Sequence, residues 1–262
     1  MSGESTAAAA AAERVVVLLG AGMGGRGVLG ALTPGQFRVV LVDRTMEIAT
    51  TAAEAARARG LDVEPVALDL TKLRSVEVFR DDVLARYGRV DTVVHLVGGW
   101  AGSKSVDAGA IGVWNRLLAG IVTTVQTTSV AFAAPLAAAP AGRYVMVSST
   151  SAREPTAGNA GYAAAKSAAE GWVRALGASF DGTGARACVV AVKALVDDAM
   201  REANPTRTFS GATDTATLGA TIVGLMDDAE LPDSVYLDLT AVSAERSPSG
   251  PSPASSDSAK EA

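Results

Sequence analysis

Tyr162 and Lys166 stand four residues apart in Gly161-Tyr-Ala-Ala-Ala-Lys, and Ser149 lies thirteen positions upstream of the tyrosine. Four residues is about one helical turn, so the phenol and the ammonium project from one face of a helix. A nearby ammonium stabilises a phenolate. The spacing therefore predicts a lowered Tyr162 pKa and a side chain that gives or takes a proton near neutral pH. A hydroxyl at a strand end, such as Ser149, would polarise a substrate oxygen beside it. Phenol, ammonium and alcohol together suit proton transfer at a carbonyl or an alcohol.

These groups need a scaffold, and the chain supplies it as alternating segments. Short, continuously apolar, β-branched runs fall at 14–19, 38–42, 63–68, 92–97, 143–147, 187–192 and 234–239, with longer alanine-rich stretches between them. Runs of this kind suit strands covered on both faces, and the intervals are long enough for crossover helices. The pattern predicts a single α/β domain over 14–242, a Rossmann-type doubly wound parallel sheet of about seven strands flanked by helices. Residues 1–13 read as a flexible leader and the Ser/Pro-rich 243–262 as a disordered tail.

The first strand runs into Gly20-Ala-Gly-Met-Gly-Gly-Arg-Gly and then into a helical segment, 28–32. Glycines there let the backbone turn sharply and approach a pyrophosphate, whose charge is favoured at a helix N-terminus. Gly20, Gly22, Met23, Gly24 and Gly25 are thus candidate cofactor contacts. Asp43 ends the second strand, placed to accept both hydroxyls of an adenosine ribose and to repel a 2′-phosphate. That favours NAD, whereas the adjacent Arg44 would pair with a 2′-phosphate and keeps NADP open. Asp69 and Leu70 close the third strand; the carboxylate would reach an adenine edge or cap the next helix.

In their order along the chain, the glycine turn, Asp43, Asp69-Leu70, Ser149, Tyr162 and Lys166 resemble the short-chain dehydrogenases/reductases. The resemblance spans about 14–240. It implies a nicotinamide cofactor, Tyr162 as general acid/base, Lys166 on the nicotinamide ribose, Ser149 on the substrate oxygen, and a homodimer or homotetramer. The run Val97-Gly-Gly-Trp-Ala-Gly is similar to that of dihydropteridine reductases and their bacterial relatives, and puts Gly98 and Gly99 beside the cofactor. Against the family pattern, Leu19 replaces a Thr and Arg26 stands at the third glycine. Ile121 falls where the family carries an Asn, and Lys193-Ala194 replaces Pro-Gly. These departures keep two alternatives open: a redox-silent enzyme on the same scaffold, and a non-catalytic dinucleotide sensor or partner subunit.

Composition narrows the rest. The net charge of -5 offers no basic field for nucleic acid or an anionic membrane. A single Cys and a single His make a Cys/His metal site improbable. The apolar stretch 129–141 is interrupted by Pro135 and Pro140 and is short for a membrane span; the single cysteine excludes an internal disulfide framework and fits a cytoplasmic protein, expected to act on a small molecule. The polar segment from Asp197 to about Gly211 reads as a substrate lid, and Trp100 as packing or as a surface for a flat substrate.

Overall fold

The computed structural model describes residues 13–232 and 234–240. The expected leader, apart from Glu13, and the expected Ser/Pro-rich tail lie outside the described residues. The chain begins β1 (Arg14–Leu19), α1 (Met23–Ala31), β2 (Phe37–Asp43), α2 (Met46–Arg57), β3 (Asp62–Ala67), α3 (Leu73–Tyr87) and β4 (Thr92–His95). It continues through α4 (Ala108–Leu117), a π-helical turn (Leu118–Thr123), α5 (Thr124–Ala138), β5 (Arg143–Ser149), α6 (Ala160–Ala178) and β6 (Arg186–Val192). Last come β7 (Leu195–Val196), α7 (Asp198–Ala203), β8 (Thr213–Asp214), α8 (Thr215–Asp227) and β9 (Ser234–Asp238).

Seven strands form one sheet in the order β3-β2-β1-β4-β5-β6-β9, and every neighbouring pair is parallel. Side chains alternate across such a sheet, so each β-branched run feeds two cores. Val15, Val17 and Leu19 join Phe79, Phe132 and Val173 on one face, while Val16 and Leu18 join Val28, Leu29 and Leu218 on the other. The chain reverses direction between β1 and β4, which opens a crevice at the carboxyl ends of those strands.

Three boundaries differ from the sequence reading. Helix α1 opens at Met23 rather than near 28, because tertiary packing holds Gly24 and Gly25 in its first turn. Strand β4 stops at His95, where the backbone leaves the sheet toward Gly98. The apolar stretch around 129–141 also belongs to a longer run, Ala108–Ala138, with Pro135 inside it. That run is long and apolar enough to cross a bilayer. Its most apolar window, however, is 56% buried, much of it by Val113, Val125 and Phe132 in the core against the sheet.

Arg143 at the start of β5 is fully buried yet satisfied. Its guanidinium donates to the carbonyls of Leu225 at 3.0 Å, Gly184 at 2.9 Å and Asp228 at 2.6 Å. A cation at the C-terminal end of α8 meets the negative end of its dipole and locks the start of β5 to that helix.

Candidate functional site

The glycine turn works by close approach. Gly20 has φ +108°, a conformation side chains rarely adopt. A Cβ at Gly25 would sit 2.0 Å from the Gly20 carbonyl oxygen, so the strand-to-helix turn closes only around glycine. Helix α1 has no side-chain cap, and above Gly22 there is open space. Its first-turn N–H groups therefore have no side-chain partner at the N-cap.

Arg26 causes none of the crowding its size suggests. Its side chain points outward to Asp197 at 3.6 Å, and Gly27 instead provides the close helix contact against the Thr215 carbonyl. Asp197 also caps α7, accepting the Met200 N–H at 2.9 Å, so one carboxylate joins the glycine turn to the expected lid. Within that segment Arg201 pairs with Asp214 at 2.7 Å. The exposed Lys193 lays its stem against Gly211.

A cavity of about 630 Å³ lies at the crevice. Among the residues singled out from the sequence, Gly20, Gly22, Asp43, Arg44, Asp69 and Leu70 line it, as do Gly98 and Gly99. Met23, Gly24 and Gly25, in the first turn of α1, do not line it. The Asp43 carboxylate accepts the N–H of Ala21 at 3.0 Å and of Thr45 at 3.4 Å. These bonds fix its orientation and leave acceptor capacity toward the cavity. Asp69 is held by Thr71, through its hydroxyl at 2.7 Å and its N–H at 3.0 Å. Those bonds keep its pKa below the usual carboxylate range, the hydroxyl contributing most. The opposite wall was not foreseen: Arg116 of α4 and Ala119, Gly120 and Thr124 around the π-helical turn complete it. Arg116 follows no recognisable motif. π-Helical turns carry no sequence signature and recur at functional sites.

At the carboxyl end of β5 the Ser149 hydroxyl bonds the Tyr162 phenol, and Lys166 follows one helical turn later on α6. Lys166 is buried and donates from Nζ to the Val147 carbonyl at 2.9 Å. A Cβ on Gly98 would lie 3.7 Å from this Nζ and 3.6 Å from Ile121. The lysine thus abuts the cavity wall at Gly98. The spacing of Tyr162 and Lys166 predicted a lowered phenol pKa, and the structure reverses this. Burial pushes the Tyr162 phenol up, with the Ser149 hydroxyl bond opposing, so it remains a phenol at neutral pH. Burial also pulls the Lys166 amine down to about 8, partly resisted by Glu170. His95 is enclosed beside them, its Nε2 3.1 Å from Thr124 Oγ1 and its Nδ1 without a partner among the described residues. Burial, and then the Lys166 charge, drive its pKa down to about 3.

Around this cluster Trp100 is 73% exposed and lies over Gly102, whose Cβ position comes within 2.9 Å of the Gly158 carbonyl oxygen. Ser103 N–H donates to the same carbonyl at 2.9 Å, so the loops after β4 and β5 are tied together. Trp172 anchors α6 to α5 through Nε1 and Ser129 Oγ at 2.8 Å. Cys188 is buried in β6 with its thiol pushed up to about 12 by burial. Among the described residues no group of His, Cys, Asp and Glu is placed to hold a metal.

A doubly wound parallel sheet with a glycine-lined crevice at its switch point is a dinucleotide-binding architecture. The model of the short chain dehydrogenase family matches residues 14–208, and the chain belongs to that family of oxidoreductases. Hydroxynaphthalene reductase arp2 of Aspergillus fumigatus is 28% identical over 194 residues, 72% of this chain and 69% of that protein. Among solved structures, a gluconate 5-dehydrogenase from Burkholderia cenocepacia in complex with NADP and tartrate superposes with a TM-score of 0.74. It is 20% identical, over 88% of this chain and 95% of that one. A short-chain type dehydrogenase/reductase from Mycobacterium ulcerans gives a TM-score of 0.75 at 19% identity, over 86% and 88%.

Proposed function

We propose that this protein is a nicotinamide-dependent reductase of small carbonyl or imine-like compounds, running the reverse oxidation under the opposite conditions. The observation that carries the reading is the Ser149–Tyr162 hydroxyl pair with Lys166 one turn on and abutting Gly98, a lining residue of a cavity large enough for a dinucleotide. The uncapped first turn of α1 suits a pyrophosphate, and Asp43 suits the adenosine ribose. That carboxylate favours NAD. Arg44 and Arg116, exposed on the cavity wall and without ion-pair partners among the described residues, keep NADP admissible.

When bound, the cofactor supplies the hydride; the chain's own residues handle the proton and the substrate oxygen. The Ser149 hydroxyl, on the rigid end of β5, orients that oxygen by hydrogen bonding. Tyr162, kept protonated by burial, delivers its phenolic proton to the oxygen as negative charge develops there. Lys166, still mostly charged at neutral pH, stabilises the phenolate left behind. Trp100, next in the chain to the cavity-lining Gly99, offers an exposed indole, which supports planar, unsaturated substrates over small aliphatic ones.

The test is turnover, followed as absorbance of the reduced nicotinamide, with NADH and NADPH against a panel of ketones and quinonoid compounds. Tyr162→Phe is expected to lower kcat by about 10²–10⁴-fold while leaving cofactor binding intact. Full activity in that variant refutes the mechanism.

A further inference from the structure

Lys166 takes a positive charge out of water. It is 7% exposed, and one of its N–H donors is spent on the Val147 carbonyl. Gly98 abuts its Nζ, and His95, which feels the lysine's charge, is held neutral. A buried ammonium in such a setting sheds its proton unless negative charge stands close by.

One carboxylate is placed to answer. Glu170 lies one helical turn after Lys166 on the same buried face of α6 and is 4% exposed. It makes no direct ion pair with the lysine among the described residues. Instead it is anchored sideways, accepting from Ser148 Oγ at 2.6 Å. Ser148 sits in β5 between Val147, which holds the lysine, and Ser149. The remaining groups that bear on this cluster come from β9 and from the turn after β5. Tyr236 turns in a hydroxyl with no hydrogen-bond partner among the described residues, and its ring lies under the Arg153 guanidinium at 3.4 Å. Asp238 and Glu154 act on the same phenol from further off.

We propose that Glu170, fixed by Ser148 one helical turn beyond Lys166, is a positioning residue of the catalytic unit that keeps the Lys166 ammonium charged. This rests on the reading of Tyr162 and Lys166 given under the proposed function. Burial alone would take the lysine further down than the value of about 8 it holds, and Glu170 is the opposing influence. Neutralising Glu170 therefore makes Lys166 lose its proton at lower pH. The charge on which the phenolate depends then disappears inside the working range.

Five lysines in the chain make ¹³Cε-lysine NMR practicable on the intact protein, with Lys166→Met used only to assign the resonance. The Lys166 midpoint is expected near 8 in the unmodified protein. In Glu170→Gln it should fall by about one pH unit, the scale of one buried charge interaction. Glu170→Asp keeps the charge but retracts it by one methylene, and should fall between. In parallel, the alkaline limb of kcat/KM for carbonyl reduction should move down by the same amount in Glu170→Gln and return toward its original place in Glu170→Asp. An unmoved lysine midpoint in Glu170→Gln overturns the proposal, as does a uniform loss of rate with an unmoved pH profile. Should Glu170→Gln fail to fold, an unmoved midpoint in Glu170→Asp overturns it. If the unmodified protein reduces no carbonyl, the functional reading fails, while the titration still decides the role of Glu170.

Discussion

His95 is the chain's one histidine, so its contribution to acid stability can be isolated. In the unfolded chain it titrates near 6.5, whereas in the fold burial and Lys166 hold it down to about 3. The folded protein thus keeps the ring neutral over a range in which the unfolded chain binds a proton. Because the folded pKa is depressed, stability from this group is fully present above 6.5 and is lost as pH falls toward 3. Between about pH 7.5 and pH 5.5 the loss works out at about 1.4 kcal/mol, from the ratio of proton binding in the two states. The lower pH stays above the isoelectric point of about 5.0, where solubility is poorest. The assay is urea denaturation at both pH values for the unmodified protein and for His95→Asn, which keeps a polar group for Thr124. The variant should be nearly flat over this range, because the carboxylates with lowered pKa, such as Asp69 and Glu64, titrate below it. Equal acid losses in both proteins would refute the reasoning, and so would an imidazole NMR signal titrating near 6.5 in the folded state.

Two further outcomes follow from the geometry. Gly27→Ala would put a Cβ 2.4 Å from the Thr215 carbonyl oxygen and force α1 away from α8; a loss of about 2–4 kcal/mol is expected in urea denaturation, and an unchanged midpoint would deny the close approach. Trp100→Ala should raise KM for a planar aromatic carbonyl about tenfold, with little effect on small aliphatic ketones or on stability, since the indole is largely exposed; equal effects on both substrate types would remove its role as a stacking face.

The sheet was legible because a strand buried on both faces has to be apolar throughout, and the runs at 14–19 and 187–192 show little else. The two-residue pairing of β7 with β8 was not, since Leu195-Val196 and Thr213-Asp214 are too short to carry any periodicity. Helix α1 began earlier than its composition suggests: glycines 24 and 25 have poor helix propensity, and packing against Leu96 and the Gly20 carbonyl overrides it.

The chemistry shows the same division more sharply. A spacing of four residues puts Tyr162 and Lys166 on one face, but says nothing about the medium between them. In the fold the phenol loses water and bonds the Ser149 hydroxyl, two opposed influences that the spacing does not report. Desolvation prevails, so Tyr162 is a proton donor at rest rather than a ready phenolate. The same loss of water makes Lys166 depend on Glu170, whose sequence context of Ala-Ala-Glu-Gly carries no sign of burial. A general acid that must stay protonated and a cation that must stay charged place opposite demands on one dry cluster. The buried carboxylate one turn beyond the lysine lets a single enclosure meet both: it raises the lysine's hold on its proton while the phenol is governed by burial.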